Sequence, residues 1–323
     1  MTTTTAQPAP AAPAPTRRVE VPRAPRRPPR GFSDRTVRNL CIVPVLFLLI
    51  AFNIFPLLAS LFISFTDFNP TFQSLDQARW IGLANYARLV SDRDPEVWYA
   101  FQRTAALVFV AVGLQTLIGF GVALLLHRDF PGRGVLTALL LIPMMLSPAI
   151  MGSFWRYMLH PDWGVVNHLL GGGRHEWYGN NALAFWAVVL AEVWMWTPFM
   201  MLLSLAGLNS IPPALYEAAE VDRAGAWFRF RNITLPLVAP LVLLGIIFRV
   251  MDTFRLFDTP FVLNGNQEGQ PTELVSVLLH LRGFGPGRPL GEATALAYLL
   301  LIVAIALANL VVRYLDHIRS RQG

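Results

Sequence analysis

Six stretches of this chain are apolar for too long to suit an ordinary water-soluble domain. Leu40–Phe65 and Thr104–Leu126 carry no charge, and Val135–Phe154 carries none but holds Pro143 and Pro148. Leu183–Leu208 contains Glu192 and Pro198, Leu237–Val262 contains Arg249, Asp252, Arg255 and Asp258, and Thr294–Val312 is again uncharged. A hydrocarbon layer about 30 Å thick is crossed by roughly 20 helical residues, so each stretch is long enough to span. In lipid every backbone N–H and C=O needs an internal partner, which leaves helices or closed barrels. Uninterrupted apolarity excludes the alternating strands of a barrel. The pattern predicts an all-α membrane protein of six transmembrane helices. Pro143, Pro148 and Pro198 are expected to kink or break their spans and to free carbonyls there. Composition agrees: 54% of residues are hydrophobic and 14% charged, against about 25% charged in soluble domains.

Charge is placed unevenly. The first 38 residues hold eight arginines against Glu20 and Asp34, which equals the whole net charge of +6. All basic residues are Arg, which reads as compositional bias. The basic balance therefore belongs to a tail and does not mark a nucleic-acid-binding face. Residues 1–38, rich in Thr, Ala, Pro and Arg, are expected to be a disordered cytoplasmic tail, which either binds anionic membrane lipid at about 1 kcal/mol per Arg or only enforces topology. A secretory signal is not expected, because the first apolar run starts near residue 40 and is too long. Arginines also cluster around the 2–3 loop, the 4–5 loop and the end of the last span, which puts both termini in the cytoplasm.

Between the fourth and fifth apolar stretches lies "NSIPPALYEAAEVDRAGAWFRFRNITLP", residues 209–236. Asn209 and Ser210 are capping candidates, and Pro212 and Pro213 suit a first helical turn. Good helix formers follow, Gly225 marks a break, and Trp227, Phe230 and Ile233 recur at spacings of three. The segment reads as a helix–turn–helix on the cytoplasmic surface. It is an interfacial connector or a dock for another protein. Its length exceeds the usual 2–8-residue helix connection, and its small residues beside an acid permit close approach.

The same segment resembles the EAA loop of the permease subunits of bacterial binding-protein-dependent ABC importers. Glu217, Ala218, Ala219, Asp222, Ala224, Phe230, Ile233, Leu235 and Pro236 fall in register; Arg223 stands where that family has Gly, with Gly225 expected to supply the turn. "WIGLANY" (Trp80–Tyr86), "AEVWMWTPFMMLLSLAGL" (Ala191–Leu208), "FRVMDTFRLFDTPFVLNG" (Phe248–Gly265) and "LGEATALAYLLLI" (Leu290–Ile302) resemble the carbohydrate-uptake branch in the expected order, with Asn264 and Asn266 replacing part of one motif ending. The resemblance covers roughly residues 40–315. It implies the type I ABC importer permease fold with a cytoplasmic coupling-helix loop, in the bacterial inner membrane. Residues 39–97 would form the first span and an external loop, 98–314 the importer transmembrane domain, and 315–323 a cytoplasmic C-terminus. Glu217, Ala218, Ala219, Asp222 and Gly225 would couple to an ABC ATPase dimer. A second permease subunit, an extracytoplasmic solute-binding protein and a sugar substrate complete the implied partners. No phosphate-cradling G-x-x-x-x-G-K-[ST] motif is present, so the chain carries no cofactor of its own and ATP would be bound by the partner.

Ionisable groups in spans are costly and face the bundle interior or a path. Glu192, Asp252, Arg255 and Asp258, with Trp196, are the candidates for a substrate path; Trp194, Phe254 and Phe257 add aromatic faces. Arg249, Asp252, Arg255 and Asp258 alternate in sign at spacings of three, so they form an ion-pair ladder or reach sugar hydroxyls. The six histidines and lone Cys41 show no metal-ligand spacing, and no catalytic constellation is visible. Ser147, Ser153 and Ser204 are expected to hydrogen-bond between helices. Two other functions stay open: the same transporter class carrying glycerol phosphate or another organic solute, and a membrane-embedded transferase. The latter would show a clustered His, Asp or Glu site, which is not found.

Overall fold

The computed structural model describes residues 34–91, 95–171, 174–178, 182–265 and 272–319. Readings that fall on residues 1–33, on Asn266 or on 320–323 lie outside the described residues. Among the described residues the chain is helical, with one isolated bridge between Thr66 and Trp80. In order these are α1 (Asp34–Leu49), α2 (Phe55–Ser64), α3 (Ala84–Val90), α4 (Pro95–Leu126), α5 (Arg133–Leu141), α6 (Pro148–Met158) and α7 (Val165–Leu169). They continue with α8 (Ala182–Asn209), α9 (Pro213–Val221), α10 (Ala226–Arg229), α11 (Leu235–Phe254), α12 (Asp258–Asn264), α13 (Val275–Phe284) and α14 (Leu290–Arg319).

The chain divides into two compact units, residues 1–56 and 57–323. In the first, α1 begins at Asp34, inside the segment read as tail, and continues into a π-helical turn at Ile50–Ile54. Its side chains from Asn39 to Ile50 are all exposed, Leu46, Phe47 and Leu48 among them. An apolar helix exposed all round is stable only in lipid.

Among the described residues five helices are long and apolar enough to cross a membrane: Asn39–Ser64, Pro95–Leu126, Ala182–Asn209, Ala226–Phe254 and Leu290–Leu310. The expected third span is not one of them. Val135–Phe154 is divided into α5, a 3-10 turn at Pro143–Met145 and α6. The backbone leaves the helical path at Leu146 and Ser147, both extended, and Pro148 then opens α6. Pro198, in contrast, sits inside an unbroken α8.

The expected fifth span is also divided. Carried on as one helix, Pro260 would lack its bond to the Leu256 carbonyl and clash with it. Instead α11 stops at Phe254, and α12 restarts at Asp258 with Pro260 in its first turn. Ser276 Oγ donates to the freed Leu256 carbonyl. The fifth span is extended at its other end, where α10 runs through a π-helical turn (Phe230–Thr234) into α11. The sequence reading stopped one short helix there and opened the next at Pro236. Pro236 falls in the first turn of α11, where its missing N–H costs little.

In the second unit α4, α8 and α11 pack against one another, and glycines set the spacing. A Cβ at Gly119 would lie 2.8 Å from Met200 Cβ, and one at Gly245 would lie 2.8 Å from Leu203 Cδ1. Small residues allow such close helix approach where lipid supplies no hydrophobic drive. Ser153 and Ser204, expected to bond across helices, bond within their own, to the carbonyls of Ala149 and Met200. A hydroxyl four residues on reaches its own helix more cheaply than a neighbour.

One end of this unit is tied by "WIGLANY". Asn85 Nδ2 donates to the Ser64 and Thr66 carbonyls at 2.9 Å each, closing orphan carbonyls at the end of α2. Tyr86 and Ser64 hydroxyls are 2.8 Å apart. Arg282, buried, holds Glu292 at 3.0 Å and Glu96 at 3.6 Å, which joins α13 to α14 and α4. At the opposite end His127 Nδ1 lies 3.1 Å from Asn209 Oδ1, and Leu126, Leu208, Ile211, Tyr216 and Ile233 pack together.

Candidate functional site

Two regions gather the residues that the sequence singles out. The first is the hairpin α9–α10. Pro212 is the extended N-cap residue and Pro213 the first helical residue. At the far end Ala224 N–H donates to the Ala219 carbonyl at 2.8 Å and Arg223 N–H to the Glu220 carbonyl at 3.0 Å. These are the two bonds of a Schellman stop, whose turn residue must be left-handed. That residue is Arg223, at φ 53°, the one non-glycine positive φ among the described residues. Gly225, expected to make the turn, is extended (φ −65°, ψ 160°) and caps α10 instead. The turn residue immediately follows the cap residue of the stopped helix, so its place is set by where α9 ends.

The hairpin is anchored from beneath. Tyr216 and Thr234 hydroxyls are 2.9 Å apart, Trp227 stacks on Phe230, and Phe230 meets Phe120 of α4. Its outer surface stays open: Val221 is 83% exposed and Trp227 70%, and Glu217, Ala218, Asp222 and Arg223 are exposed. Ala218, Ala219, Asp222 and Gly225 line one depression of about 490 Å³ with Leu215 and Phe228. Glu217 faces a different one, about 390 Å³, with His127, Tyr216 and Glu220. Four of the five predicted coupling residues thus share a surface, and Ala219 is its buried floor.

The second region lies inside the helix bundle. Arg249 of α11 is buried, and each of its three nitrogens donates to protein oxygen. Nη2 reaches Glu192 Oε2 and Thr253 Oγ1 at 3.0 Å, Nη1 reaches Asp252 Oδ2 at 2.5 Å, and Nε reaches Gln115 Oε1 at 3.0 Å. Its Cζ lies 4.3 Å from the centre of the Trp196 ring, close enough for cation–π attraction. Gln115 Nε2 donates to the Glu192 carbonyl at 3.0 Å, and Thr259 Oγ1 to Glu192 Oε1 at 3.4 Å. α4, α8, α11 and α12 therefore meet at one polar knot. A buried charge is tolerable only when paired and hydrogen-bonded in this way.

The structure brings Glu192, Trp196 and Asp252 together and leaves Arg255 and Asp258 out. Only the first step of the expected ladder, Arg249 to Asp252, is made. The helix ends at Phe254, so Asp258 rides on α12 and both outlying charges are exposed. Phe254 is buried, Phe257 stacks on Phe261, and Trp194 stacks on Phe154. Gln115, Thr253 and Thr259 were not picked out from sequence. Gln115 had a signal: it is the one amide in the uncharged run Thr104–Leu126. Among the described residues no cluster of His, Cys, Asp and Glu could hold a metal.

A family model described as binding-protein-dependent transport system inner membrane component matches residues 115–320. The chain belongs to this family. It is a multi-pass inner-membrane transport component and not an enzyme. This inner membrane component is 38% identical over 250 residues to the trehalose/maltose transport system permease protein MalF of Thermococcus litoralis, over 76% of this chain and 83% of the relative. It is 32% identical over 282 residues to the trehalose transport system permease protein SugA of Mycobacterium tuberculosis, over 85% and 87% of the two. Its fold matches a chain from the crystal structure of a bacterial ABC transporter involved in the import of the acidic polysaccharide alginate. The TM-score is 0.74, with 87% of this chain and 96% of that one covered at 20% identity. That likeness carries the fold alone. The resemblance read from the EAA segment and the expected importer-permease fold are both borne out.

Proposed function

We propose that this chain is the membrane-spanning permease subunit of an ATP-driven sugar importer, with α9 and α10 docking on an ABC ATPase subunit. One observation carries the coupling. Ala226–Phe254 is a single helix of 29 residues, so it starts in the hairpin and ends beyond Arg249. Displacement of the hairpin moves a rigid rod about 34 Å long between those points, at 1.5 Å per residue. The polar knot at its far end ties that rod to α4, α8 and α12. Rigid-body motion of this kind is how a two-state transporter converts a distant event into a change of access. Glu217 and Asp222 would meet basic groups of the ATPase, and Ala218 and Gly225 would permit close approach. The chain forms half of a pore that a second permease subunit completes, a solute-binding protein delivers the cargo from outside, and both termini are cytoplasmic.

The cargo class rests on the relatives, whose names specify trehalose and maltose. Uptake of labelled trehalose and maltose by proteoliposomes holding the full complex tests the reading. ATP-dependent accumulation supports it. Normal accumulation by a Glu217→Arg variant would overturn the docking role, and uptake without an ATPase subunit would overturn the class.

A further inference from the structure

The polar knot carries a consequence for cargo charge. It contains one cation, Arg249, against two carboxylates, Glu192 and Asp252. All three Arg249 nitrogens already donate to protein oxygens, and its side chain is 3% exposed. Its charge is thus committed inside the protein. Glu192 is fully buried, whereas the Asp252 side chain is 53% exposed. Asp252 is therefore the one ionisable member of the knot that reaches the surface. An ionised group on a membrane-spanning helix faces water or protein, because hydrocarbon is too costly. The next charges along, Arg255 and Asp258, are both exposed and opposite in sign. Trp196 adds an aromatic ring against the Arg249 guanidinium.

We propose that Asp252 acts as a charge filter, confining the cargo to uncharged polyhydroxylated solutes and rejecting those that bear a carboxylate or phosphate. This rests on the sugar-importer reading above. A carboxylate only accepts hydrogen bonds, so it suits hydroxyl donors. It repels an anion at the same contact, because its partner Arg249 is buried behind it with every nitrogen already donating to protein oxygen. At about 6 Å and an effective dielectric near 20, like-charge repulsion weakens binding by roughly tenfold or more.

The test uses the assembled complex of both permease subunits and the ATPase, without the solute-binding protein, so that the membrane site alone selects. The probes are trehalose and maltose, each also with one primary hydroxyl oxidised to a carboxylate. The neutral sugars should bind about tenfold tighter or more than their oxidised forms. Asp252→Asn should narrow that gap by about tenfold, and Asp252→Glu should retain it. Equal wild-type binding of neutral and oxidised sugars would overturn the filter, even where Asp252→Asn fails to assemble. An unchanged gap in a correctly assembled Asp252→Asn complex would overturn it as well. Failure of both neutral sugars to bind the wild type would instead remove the sugar reading, and the filter with it.

Discussion

The hairpin and the polar knot are built from the same residue types and do opposite things. In the hairpin, Arg229 and Glu220 pair at 2.8 Å with side chains 30% and 68% exposed. In the knot, Arg249 and Glu192 pair at 3.0 Å with side chains 3% and 0% exposed. An exposed pair contributes about 0–1 kcal/mol, because water screens it and long side chains resist ordering. A buried pair is weak evidence of net stability, but breaking it strands a charge at a cost of about 3–5 kcal/mol. Burial thus makes the knot a structural joint and leaves the hairpin's charges available to a partner.

The comparison is broken or sharpened first at Arg249. Arg249→Met should remove about 3–5 kcal/mol by leaving Glu192 buried and unpaired. The double change Arg249→Met with Glu192→Met should recover most of it, as thermal unfolding of the purified complex would show. If the single variant unfolds like wild type, the knot is not a structural joint. Glu217→Arg should behave in the contrary way. Its unfolding should stay within about 0.5 kcal/mol of wild type, while ATP-driven uptake falls by about tenfold or more. A variant that instead loses the protein from the membrane would make Glu217 structural.

Smaller effects separate the hairpin's underside from its outer surface. Tyr216→Phe removes the contact with Thr234 and should cost about 1 kcal/mol, read by unfolding or by proteolysis of the hairpin. Arg223→Gly should be slightly stabilising. Left-handed backbone costs a side-chain-bearing residue about 1–2 kcal/mol, and the greater unfolded freedom of glycine returns roughly 0.5–1 of that. A loss of uptake with no loss of stability in Arg223→Gly would show that the arginine side chain itself contacts a partner.

Much of the molecule was legible in its residues. Four apolar runs announced Asn39–Ser64, Pro95–Leu126, Ala182–Asn209 and Leu290–Leu310, because length and apolarity alone decide what lipid will accept. The EAA segment announced the hairpin and its family. The proline breaks were half legible. Pro143 and Pro148 signalled an interruption, but Pro260 was absorbed into a span that in fact ends before it. The left-handed turn was misplaced onto Gly225 because glycine is the usual signal, and the stop of α9 required the turn two residues earlier.

The knot was the least legible part. Glu192, Trp196 and Asp252 stood out as charges or aromatics in apolar runs, but nothing local distinguished them from Arg255 and Asp258. Which of them share one guanidinium depends on the crossing of α4, α8 and α11 at Gly119 and Gly245, contacts between residues far apart in the chain. Hydrophobic length, charge placement and capping chemistry act within a few turns of backbone, so the sequence alone determined the membrane class, most spans and the hairpin. Pairing of buried charges acts across packed helices, so only the tertiary structure decided that Arg249 is committed inward and that Asp252 is left facing out.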